Sequence, residues 1–302
     1  MLTRRNKLVL LKLLSLFSVV RGYNILIIVL AQYFTSIFIL ASHIDLRHIL
    51  LDPNLFVIVL ASTGVIAAGY IINNFYDKEK DLINRPQKTM LDRLVSQRTK
   101  LTGYFILNFL SVVCASYVSF RAVMFFSLYI FAIWFYSHKL KKFPVVGNVM
   151  AALLAITPFF AIFIYYKNFD EVIFVHATFL FLILIIREIV KDLGNLRGDL
   201  AHNYKTIPIF YGEKTSKQII STLILISGIP IYLLLTRYQI GFMYLYFLLC
   251  ILFLIIFLFA LWISKKKTHY VWLHNILKLI IVTGAFSIIL IDVNIILDKI
   301  LW

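Results

Sequence analysis

Nine long apolar runs constrain the fold of this 302-residue chain more than any other feature of its sequence. A helix needs about 20 apolar residues to cross the hydrocarbon core of a bilayer, and each run is close to that length. Apolar residues make up 62% of the chain, whereas soluble domains contain roughly 45–50%. We therefore predict an all-α, polytopic membrane protein with about nine transmembrane helices. The predicted spans are residues 16–40, 54–74, 101–119, 122–138, 145–166, 171–190, 216–236, 240–263 and 271–297.

The runs follow one another without a polar domain between them. No stretch rich in Pro, Gly or Ser separates them, so we expect a single domain over residues 1–302. Residues 8–20 follow a basic start, as the core of a signal peptide does. No small-residue cleavage site comes after them and Arg21 interrupts the run, so the segment is predicted to be a retained interfacial helix.

Basic residues are distributed very unevenly between the connections. Of the 30 Lys and Arg residues, 23 lie in the N-terminal tail and in segments 75–100, 139–144, 187–217 and 264–270, whereas five lie in the alternate connections. The positive-inside rule then places the N-terminus and the four basic segments in the cytoplasm and the C-terminus outside. We predict a multi-pass protein of the inner or plasma membrane. Topology and attraction to anionic headgroups explain much of the net charge of +16, so a nucleic-acid partner is not expected.

Two acidic clusters stand at the ends of apolar runs, in residues 73–81 and 192–199. Carboxylates beside a lipid core are costly and usually functional. On a helix, each cluster lines one face because its oxygen-bearing side chains are three or four residues apart. The side chains that share these faces are Asn73, Asp77, Asp81, Asp192, Asn195 and Asp199. Facing sets of hard oxygen ligands are what Mg²⁺ and a diphosphate require, so the clusters predict a magnesium-dependent site for a phosphorylated lipid.

The chemistry expected at such a site is departure of a diphosphate from an allylic lipid tail, assisted by two Mg²⁺ ions. The predicted catalytic residues and direct or water-mediated metal ligands are Asp77, Asp81, Asp192 and Asp199, with Asn73 and Asn195 adding carbonyl oxygens. The cations predicted to hold the phosphates are Arg85, Lys139, Lys141, Lys142, Lys191 and Lys205. The Tyr136 ring is predicted to stabilise positive charge at the allylic carbon. Lys278, inside the ninth run, is expected to snorkel or pair rather than to bind a ligand.

Four segments of the chain resemble elements of one known family. The first is INNFYDKEKDLINRP, similar to an N-D-x-x-D-x-x-x-D signature followed by N-R/K-P. The second is REIVKDLGNLRGDLAHNYKTIPIFYG, similar to R-E-x-x-K-D-x-x-D-x-x-x-D followed by T-x-P-x-x-x-G, and the third is YSHKLKKFPVVGN, similar to a basic loop with a Tyr before the fifth helix. Arg21 and Asn24 match an Arg-x-x-Asn of the first helix, with Gly22 where Pro is common. In this order over residues 16–290, the segments resemble the UbiA superfamily of intramembrane prenyltransferases.

The resemblance implies a helical bundle around a central cavity. It also implies Mg²⁺-dependent transfer of a prenyl group from a polyprenyl diphosphate to a lipophilic acceptor in the membrane. It carries metal-ligand roles to Asn73, Asp77, Asp81, Asp192 and Asp199, and adds Arg21 and Asn24 to the predicted substrate-binding residues. The chain departs from the family pattern at Asn74 and Asn195, where Asp is usual, and each exchange is expected to weaken Mg²⁺ binding. Four Asp remain, so we expect an active enzyme that holds its metal more loosely.

These motifs leave the acceptor open. Both acidic elements look nearer to the family branch that acts on geranylgeranylglycerol phosphate, an ether-lipid precursor, than to the hydroxybenzoate branch. An aromatic-acid prenyltransferase of quinone biosynthesis is the alternative. Alternatives of another class are an ion-coupled transporter and a membrane protein that binds prenyl lipids without turnover. Transporters place their charges near the midplane, whereas the charges here cluster at one interface, which favours diphosphate chemistry.

Overall fold

The computed structural model describes residues 4–293, and every regular element in that range is helical. The α-helices are α1 (Arg4–Val19), α2 (Gly22–Thr35), α3 (Leu46–Leu50), α4 (Pro53–Asn84), α5 (Pro86–Asp92), α6 (Gln97–Val118), α7 (Phe120–His138), α8 (Val146–Tyr166), α9 (Glu171–Ala201), α10 (Ile207–Arg237), α11 (Tyr244–Ile263) and α12 (Lys267–Ser287). Helix α2 continues as a π-helix over Ser36–Leu40, and short 3₁₀ turns occupy Leu140–Lys142, Gly241–Met243 and Ile288–Ile291.

Nine helical segments of the described range are long and apolar enough to cross a membrane, which confirms the predicted number. They are Gly22–Leu40, Pro53–Asn84, Gln97–Val118, Phe120–Lys142, Val146–Tyr166, Glu171–Ala201, Ile207–Arg237, Gly241–Ile263 and Lys267–Ile291. The predicted end of the last span at residue 297 and the predicted side of the C-terminus concern residues outside the described range.

Two predicted connections differ from the observed structure. The sequence assigns residues 75–100 and 187–217 to connections between the spans, but α4 continues to Asn84 and α9 continues to Ala201. Lysine and carboxylate side chains alternate on these extensions and neutralise one another, so the polar segments stay helical beyond the apolar runs. Each acidic cluster therefore lies on a helix, as the spacing of its side chains indicates.

Local sequence signals account for both ends of helix α4. At its start, the Asp52 carboxylate accepts a hydrogen bond from the Asn54 amide at 2.9 Å, and Pro53 occupies the first turn. At its end, Arg85 adopts a non-helical conformation directly before Pro86, where the α region is disfavoured. The helix therefore stops at Asn84, with the acidic cluster in its last three turns.

The first span begins later than predicted because the chain breaks at Arg21. This residue has a left-handed conformation, with φ 51° and ψ 54°, which separates α1 from α2. The first span therefore begins at Gly22 instead of at residue 16. An added Cβ at Gly22 would meet the ring of the exposed Phe17 side chain, which would have to move to accept it.

Helix α1 is the helix predicted for residues 8–20, and it packs against the short helix α5. The Ser15 hydroxyl donates to the Leu91 carbonyl oxygen at 2.8 Å, and the Ser18 hydroxyl donates to Asp92 Oδ1 at 2.9 Å. These bonds hold α5 beside the end of α4, where the first acidic cluster lies.

The apolar core has two main parts, each built around one of the helices that carry an acidic cluster. Buried side chains of α4 pack with those of α6, α7 and α8, and buried side chains of α9 pack with those of α10, α11 and α12. Helices α4 and α9 also contact each other directly. The two parts of the bundle therefore meet along the pair of helices whose ends are acidic.

Gly198 is where the closest approach of α4 and α9 requires glycine. Its amide donates to Asn84 Oδ1 at 3.1 Å, and an added Cβ would collide with the same buried Asn84 amide group. We expect Gly198→Ala to destabilise the fold by about 2 kcal/mol, measured as a fall of several degrees in the thermal unfolding midpoint in detergent.

The matched control is Gly228→Ala in α10, because an added Cβ at Gly228 meets no atom within 4 Å. It is expected to leave the free energy of unfolding unchanged or to raise it by up to about 1 kcal/mol, so the midpoint should stay the same or rise slightly. Equal midpoints for the two variants would contradict close packing of α4 on α9 at Gly198.

Candidate active site

A polar pocket of about 60 Å³ lies between α4 and α9 and is closed by the turn after α7 and by the start of α8. Its walls combine four carboxylates with five Lys and Arg side chains. The lining residues are Arg21, Asn73, Asp77, Lys80, Asp81, Arg85, Tyr136, Lys141, Phe143, Gly147, Asn148, Glu188, Lys191, Asp192, Asn195, Tyr204 and Thr206. The structure thus brings side chains of both predicted acidic clusters into one pocket.

The carboxylate of Asp77 is the most heavily contacted group in this pocket. Lys141 Nζ lies 2.8 Å from its Oδ1 and Lys80 Nζ lies 3.5 Å from the same atom. The Tyr204 hydroxyl donates to that oxygen at 3.0 Å. Lys141 also donates to Asn73 Oδ1 at 3.2 Å. The ammonium groups of Lys80 and Lys141 are therefore both in contact with the first acidic cluster.

On α9, each carboxylate has a different partner. Asp192 Oδ2 accepts a hydrogen bond from Asn148 Nδ2 at 2.8 Å. Glu188 is paired with Lys191 and, at 2.9 Å, with Arg187. Within the described part of the chain, Asp192 therefore has a hydrogen-bond donor but no ion pair within 4.0 Å, which leaves it able to take a cation brought by a ligand.

Lys80 connects the two acidic helices. Its ammonium lies 3.3 Å from Asp199 Oδ1 on α9 while also contacting Asp77 on α4, and it sits 4.1 Å from the centre of the Tyr204 ring. Burial and the negative charge of Asp77 raise the pKa of the Tyr204 phenol, so this hydroxyl stays protonated and acts as a donor. The lysine and the tyrosine together hold the ends of α4 and α9 in register.

Most predicted site residues line the pocket, and the others do not. Ten predicted residues line it: Arg21, Asn73, Asp77, Asp81, Arg85, Tyr136, Lys141, Lys191, Asp192 and Asn195. Asp199 does not line it and reaches it only through Lys80. Asn24 lines a neighbouring apolar cavity, where its amide donates to the Tyr70 hydroxyl at 3.3 Å.

The structure does not bring Lys205, which is predicted to contact phosphate, into the pocket. Its side chain is exposed outside the pocket, as are those of Lys139 and Lys142, and only its backbone amide is engaged, donating to the Lys142 carbonyl oxygen at 2.8 Å. The reason is that the loop after α9 turns Tyr204 and Thr206 inward, so the residue between them points outward.

The expectation that Asn74 weakens metal binding stays a prediction, although the structure places this residue outside the pocket. This side chain lies on the opposite face of α4, where Lys100 Nζ donates to its Oδ1 at 2.9 Å and its own Nδ2 donates to Asp92 Oδ2 at 3.0 Å. An Asp at position 74 would set two carboxylates against each other, since the amide proton is what Asp92 accepts. Asn195 does line the pocket, so the expectation stands for that residue.

Seven pocket residues were not among the predicted ones: Lys80, Phe143, Gly147, Asn148, Glu188, Tyr204 and Thr206. Lys80 follows Asp77 by three residues, and this helical spacing indicates an ion pair. Tyr204 and Thr206 fall within the second family-like segment, between the acidic cluster and its trailing proline. Asn148 carries no comparable signal, because its contact with Asp192 depends on how α8 packs against α9.

The donor set of this pocket fits Mg²⁺, although among residues 4–293 no three His, Cys, Asp or Glu side chains converge closely enough to hold a metal ion. Hard carboxylate and amide oxygens from both helices face one space, as magnesium requires. Asp199 Oδ1 is buried, accepts no hydrogen bond and faces only the ammonium of Lys80. Lysine ammonium groups thus provide the positive charge that the carboxylates need.

The polar pocket opens into a larger cavity of about 560 Å³ within the bundle. Six residues line both spaces: Arg21, Asn73, Arg85, Tyr136, Glu188 and Lys191. Beyond this junction the walls are mostly apolar and reach Phe163 and Phe174 at the opposite end of α8 and α9. A volume of this size and lining is typical of a site for a hydrocarbon ligand.

Lys80→Met tests whether this lysine serves as a built-in counter-ion. Loss of the ammonium leaves Asp199 buried without a partner, so we expect metal-free protein to lose about 3 kcal/mol of stability, measured as a lower unfolding midpoint in EDTA. Added Mg²⁺ should raise the midpoint of the variant more than that of the wild type.

The control is Lys78→Met on the same helix, because the Lys78 side chain is 37% exposed and pairs only with Glu79 at 3.6 Å. This exposed pair is expected to contribute little to stability, so the free energy of unfolding should stay within about 1 kcal/mol of that of the wild type. An identical response of the Lys80 and Lys78 variants to EDTA and Mg²⁺ would refute the counter-ion role.

The sequence matches the UbiA prenyltransferase family over residues 29–279. The digeranylgeranylglyceryl phosphate synthase of Methanobrevibacter smithii is 30% identical over 222 residues, which cover 70% of this chain and 74% of that protein. The synthase of the same name from Thermococcus gammatolerans is 33% identical over 165 residues, which cover 54% of this chain and 58% of that protein. The second match therefore spans little more than half of the relative's length.

Solved structures show the same fold. A structure of a digeranylgeranylglyceryl phosphate synthase has a TM-score of 0.69 at 22% identity, covering 92% of this chain and 97% of that one. A UbiA homologue from Archaeoglobus fulgidus bound to GPP and Mg²⁺ has a TM-score of 0.65 at 17% identity, covering 91% of this chain and 99% of that one. With a family match over most of its length and a polytopic helical fold, this chain belongs to the UbiA prenyltransferase family.

Proposed function

We propose that this protein transfers a geranylgeranyl group from geranylgeranyl diphosphate to the free hydroxyl of geranylgeranylglyceryl phosphate, as the names of its relatives suggest. The observation that carries the proposal is the junction between a carboxylate-lined pocket and an apolar cavity of about 560 Å³. An anionic head and a long hydrocarbon tail fit these two compartments.

The reaction forms an ether bond at the first carbon of the donor. The bond between that allylic carbon and the diphosphate oxygen breaks, and its electron pair leaves with the diphosphate. The acceptor hydroxyl oxygen attacks the allylic carbon, and the hydroxyl proton passes to a phosphate oxygen of the departing diphosphate. Positive charge on the allylic carbon is greatest between these events, so the site must stabilise a carbocation and exclude water.

The diphosphate is proposed to lie between the acidic ends of α4 and α9. Bound Mg²⁺ supplies charge neutralisation at the phosphate oxygens, which makes the diphosphate a better leaving group. The residues that would hold it are Asp77, Asp81, Asp192, Asn73 and Asn195, all of which line the pocket. Asp199 contributes as the partner of Lys80 rather than from the pocket wall.

Cations of the pocket bind the phosphate oxygens directly. Without a ligand, Lys80 and Lys141 neutralise Asp77, and each has a second acceptor within reach. Both ammonium groups can therefore turn toward a phosphate oxygen when a ligand is bound. Lys191 lines both compartments and is placed to contact the head where it joins the tail.

Tyr136 stands at the same junction and lines both compartments. Its ring is proposed to stabilise the positive charge on the allylic carbon through its electron-rich face. The apolar walls beyond it exclude water from that carbon, which protects the carbocation from hydrolysis. By the excess of basic residues at this end of the bundle, the active site is proposed to face the cytoplasm.

An acceptor panel tests the proposed function. Purified protein in detergent receives labelled geranylgeranyl diphosphate and Mg²⁺ with either geranylgeranylglyceryl phosphate or 4-hydroxybenzoate, and lipid products are separated. We expect labelled diether lipid with the first acceptor and release of pyrophosphate that EDTA abolishes. Product formed only with the aromatic acid would establish the quinone-type reaction instead, and absence of pyrophosphate release with every acceptor would indicate a binding protein.

A further inference from the structure

The two connected cavities differ in how far their charges are balanced. The polar pocket has four carboxylates against five Lys and Arg side chains, whereas the larger cavity is lined by six Lys and Arg side chains and one carboxylate among the described residues. The six cations are Arg21, Arg85, Lys88, Arg187, Lys191 and Lys278. The single acid, Glu188, is already paired with Arg187 and Lys191. The mouth of an otherwise apolar cavity therefore holds positive charge that no carboxylate of its wall balances.

Lys278 on α12 is the clearest case. Within residues 4–293, no ion pair or hydrogen bond engages its ammonium. The guanidinium groups of Arg21, Arg85 and Arg187 repel it, and the one carboxylate that attracts it is the already paired Glu188. His274, one turn earlier on the same face of α12, also lines the cavity and has a buried Nδ1 without a hydrogen-bond partner. An intramembrane lysine in this setting is costly unless a ligand compensates it.

Lys88 supports the same conclusion from the other side of the cavity. It lies on α5, outside the membrane-spanning segments, and its one ion pair is with Asp92 at 3.5 Å. Burial and the positive charge of Arg21 lower the pKa of the Lys88 ammonium, the opposite of what an adequately compensated lysine shows. Cations from α5, α9 and α12 thus converge on one space.

Three of these cations, Lys88, Arg187 and Lys278, line the larger cavity without lining the polar pocket. The proposed place of the donor diphosphate is the polar pocket, so these three cations have no partner in the donor. Building on the proposed function, we propose that Lys88, Arg187 and Lys278 form a second anion subsite that binds the phosphate of the acceptor lipid. The acceptor class is a prenylated glycerol that bears a phosphomonoester.

The chemistry of a phosphomonoester matches this subsite. At neutral pH such a group carries a charge between about −1.5 and −2 and three strong acceptor oxygens, enough for contacts with three cations. A lipid tail attached to it finds the apolar wall that starts at the same mouth. Binding the phosphate there sets the acceptor beside the donor head, since Arg21, Arg85 and Lys191 line both spaces.

The test compares two ligands that differ only in the phosphate: geranylgeranylglyceryl phosphate and geranylgeranylglycerol. Binding is measured by thermal shift or scintillation proximity in EDTA, without donor, so that no metal or turnover contributes. The wild type is expected to prefer the phosphate lipid, and Lys278→Met to weaken that ligand roughly ten- to a hundredfold with little change for the alcohol. Lys278→Arg should restore much of the preference, and Lys88→Met should give a similar loss through an independent position.

Lys266→Met is the matched control, because Lys266 is an exposed lysine at the start of the same helix and lines neither cavity. It should bind both lipids as the wild type does. Unchanged preference in folded Lys278→Met and Lys88→Met would overturn the subsite. Inorganic phosphate that binds as tightly as the phosphate lipid would also overturn it, because the site would then bind phosphate without recognising the lipid.

Kinetics separate failure of this subsite from failure of the proposed function. If the wild type makes diether lipid, Lys278→Met should raise KM for the acceptor by a similar factor and leave KM for geranylgeranyl diphosphate unchanged. A rise confined to the donor KM would overturn the subsite while leaving the proposed reaction intact. Phosphate-dependent binding without any product would support the subsite and remove the proposed reaction.

Discussion

We expect Asp77→Asn to lower kcat for prenyl transfer by roughly a hundred- to a thousandfold, a change typical of losing one preorganised electrostatic group. Asp77 is the acid that contacts Lys80, Lys141 and Tyr204, so it organises the pocket as well as contributing charge. The amide keeps the size of the side chain and removes the charge. The measurement is Mg²⁺-dependent release of pyrophosphate at saturating donor and acceptor.

Glu79→Gln is the control for this substitution, since Glu79 lies two residues away on the exposed face of α4 and pairs only with Lys78. It removes the same charge from the same helix and should leave kcat within about a factor of two. Asp192→Asn, on α9, should match the loss at Asp77. Full activity in Asp77→Asn, or equal losses at Asp77 and Glu79, would contradict the proposed role of the pocket.

The second large effect is expected from filling the far part of the apolar cavity. Ala177 lines it on α9, about 20 Å along the helix axis from Lys191 at the mouth. Ala177→Phe should displace about one isoprene unit of the donor tail, at about 0.8 kcal/mol for each of its carbons, or roughly a thousandfold in kcat/KM. The shorter geranyl diphosphate should be affected much less, so the preference between the two donors should reverse or collapse.

Thr178→Phe is the matched control, because it adds a side chain of the same size on the same helix turn, at an exposed position that does not line the cavity. It should keep the preference of the wild type for the longer donor. An equal loss of activity toward both donors in Ala177→Phe, with Thr178→Phe unaffected, would show that the tail does not occupy this part of the cavity.

The architecture and the two acidic faces follow from the sequence because their signals are local. Hydropathy over about 20 residues predicts each span, and spacings of three and four predict that Asp77 and Asp81 share a helix face. Hydropathy fails where apolar composition ends but the helix does not, which is why the predicted spans end before α4 and α9 do. Charge pairs along the extension keep it helical, and apolar content does not report them.

Contacts between distant segments account for the parts that sequence did not reveal. Tyr204 bonds Asp77 across 127 residues of chain, and nothing near either residue indicates the other. The face taken by Asn74 depends on Asp92 and Lys100, which belong to α5 and α6 and create a hydrogen-bonded group away from the pocket. Lys278 was expected to snorkel or pair, because the sequence alone does not show that its helix face lines a cationic cavity.

The most direct measurement is an experimental structure of the protein with Mg²⁺ and a geranylgeranyl thiolodiphosphate that cannot leave. The expected density places the diphosphate between α4 and α9, within contact distance of Asp77, Asp192 and Lys141, with the tail running along α9 toward Phe174. A diphosphate bound away from both acidic helices, or a tail outside the bundle, would contradict the proposed site.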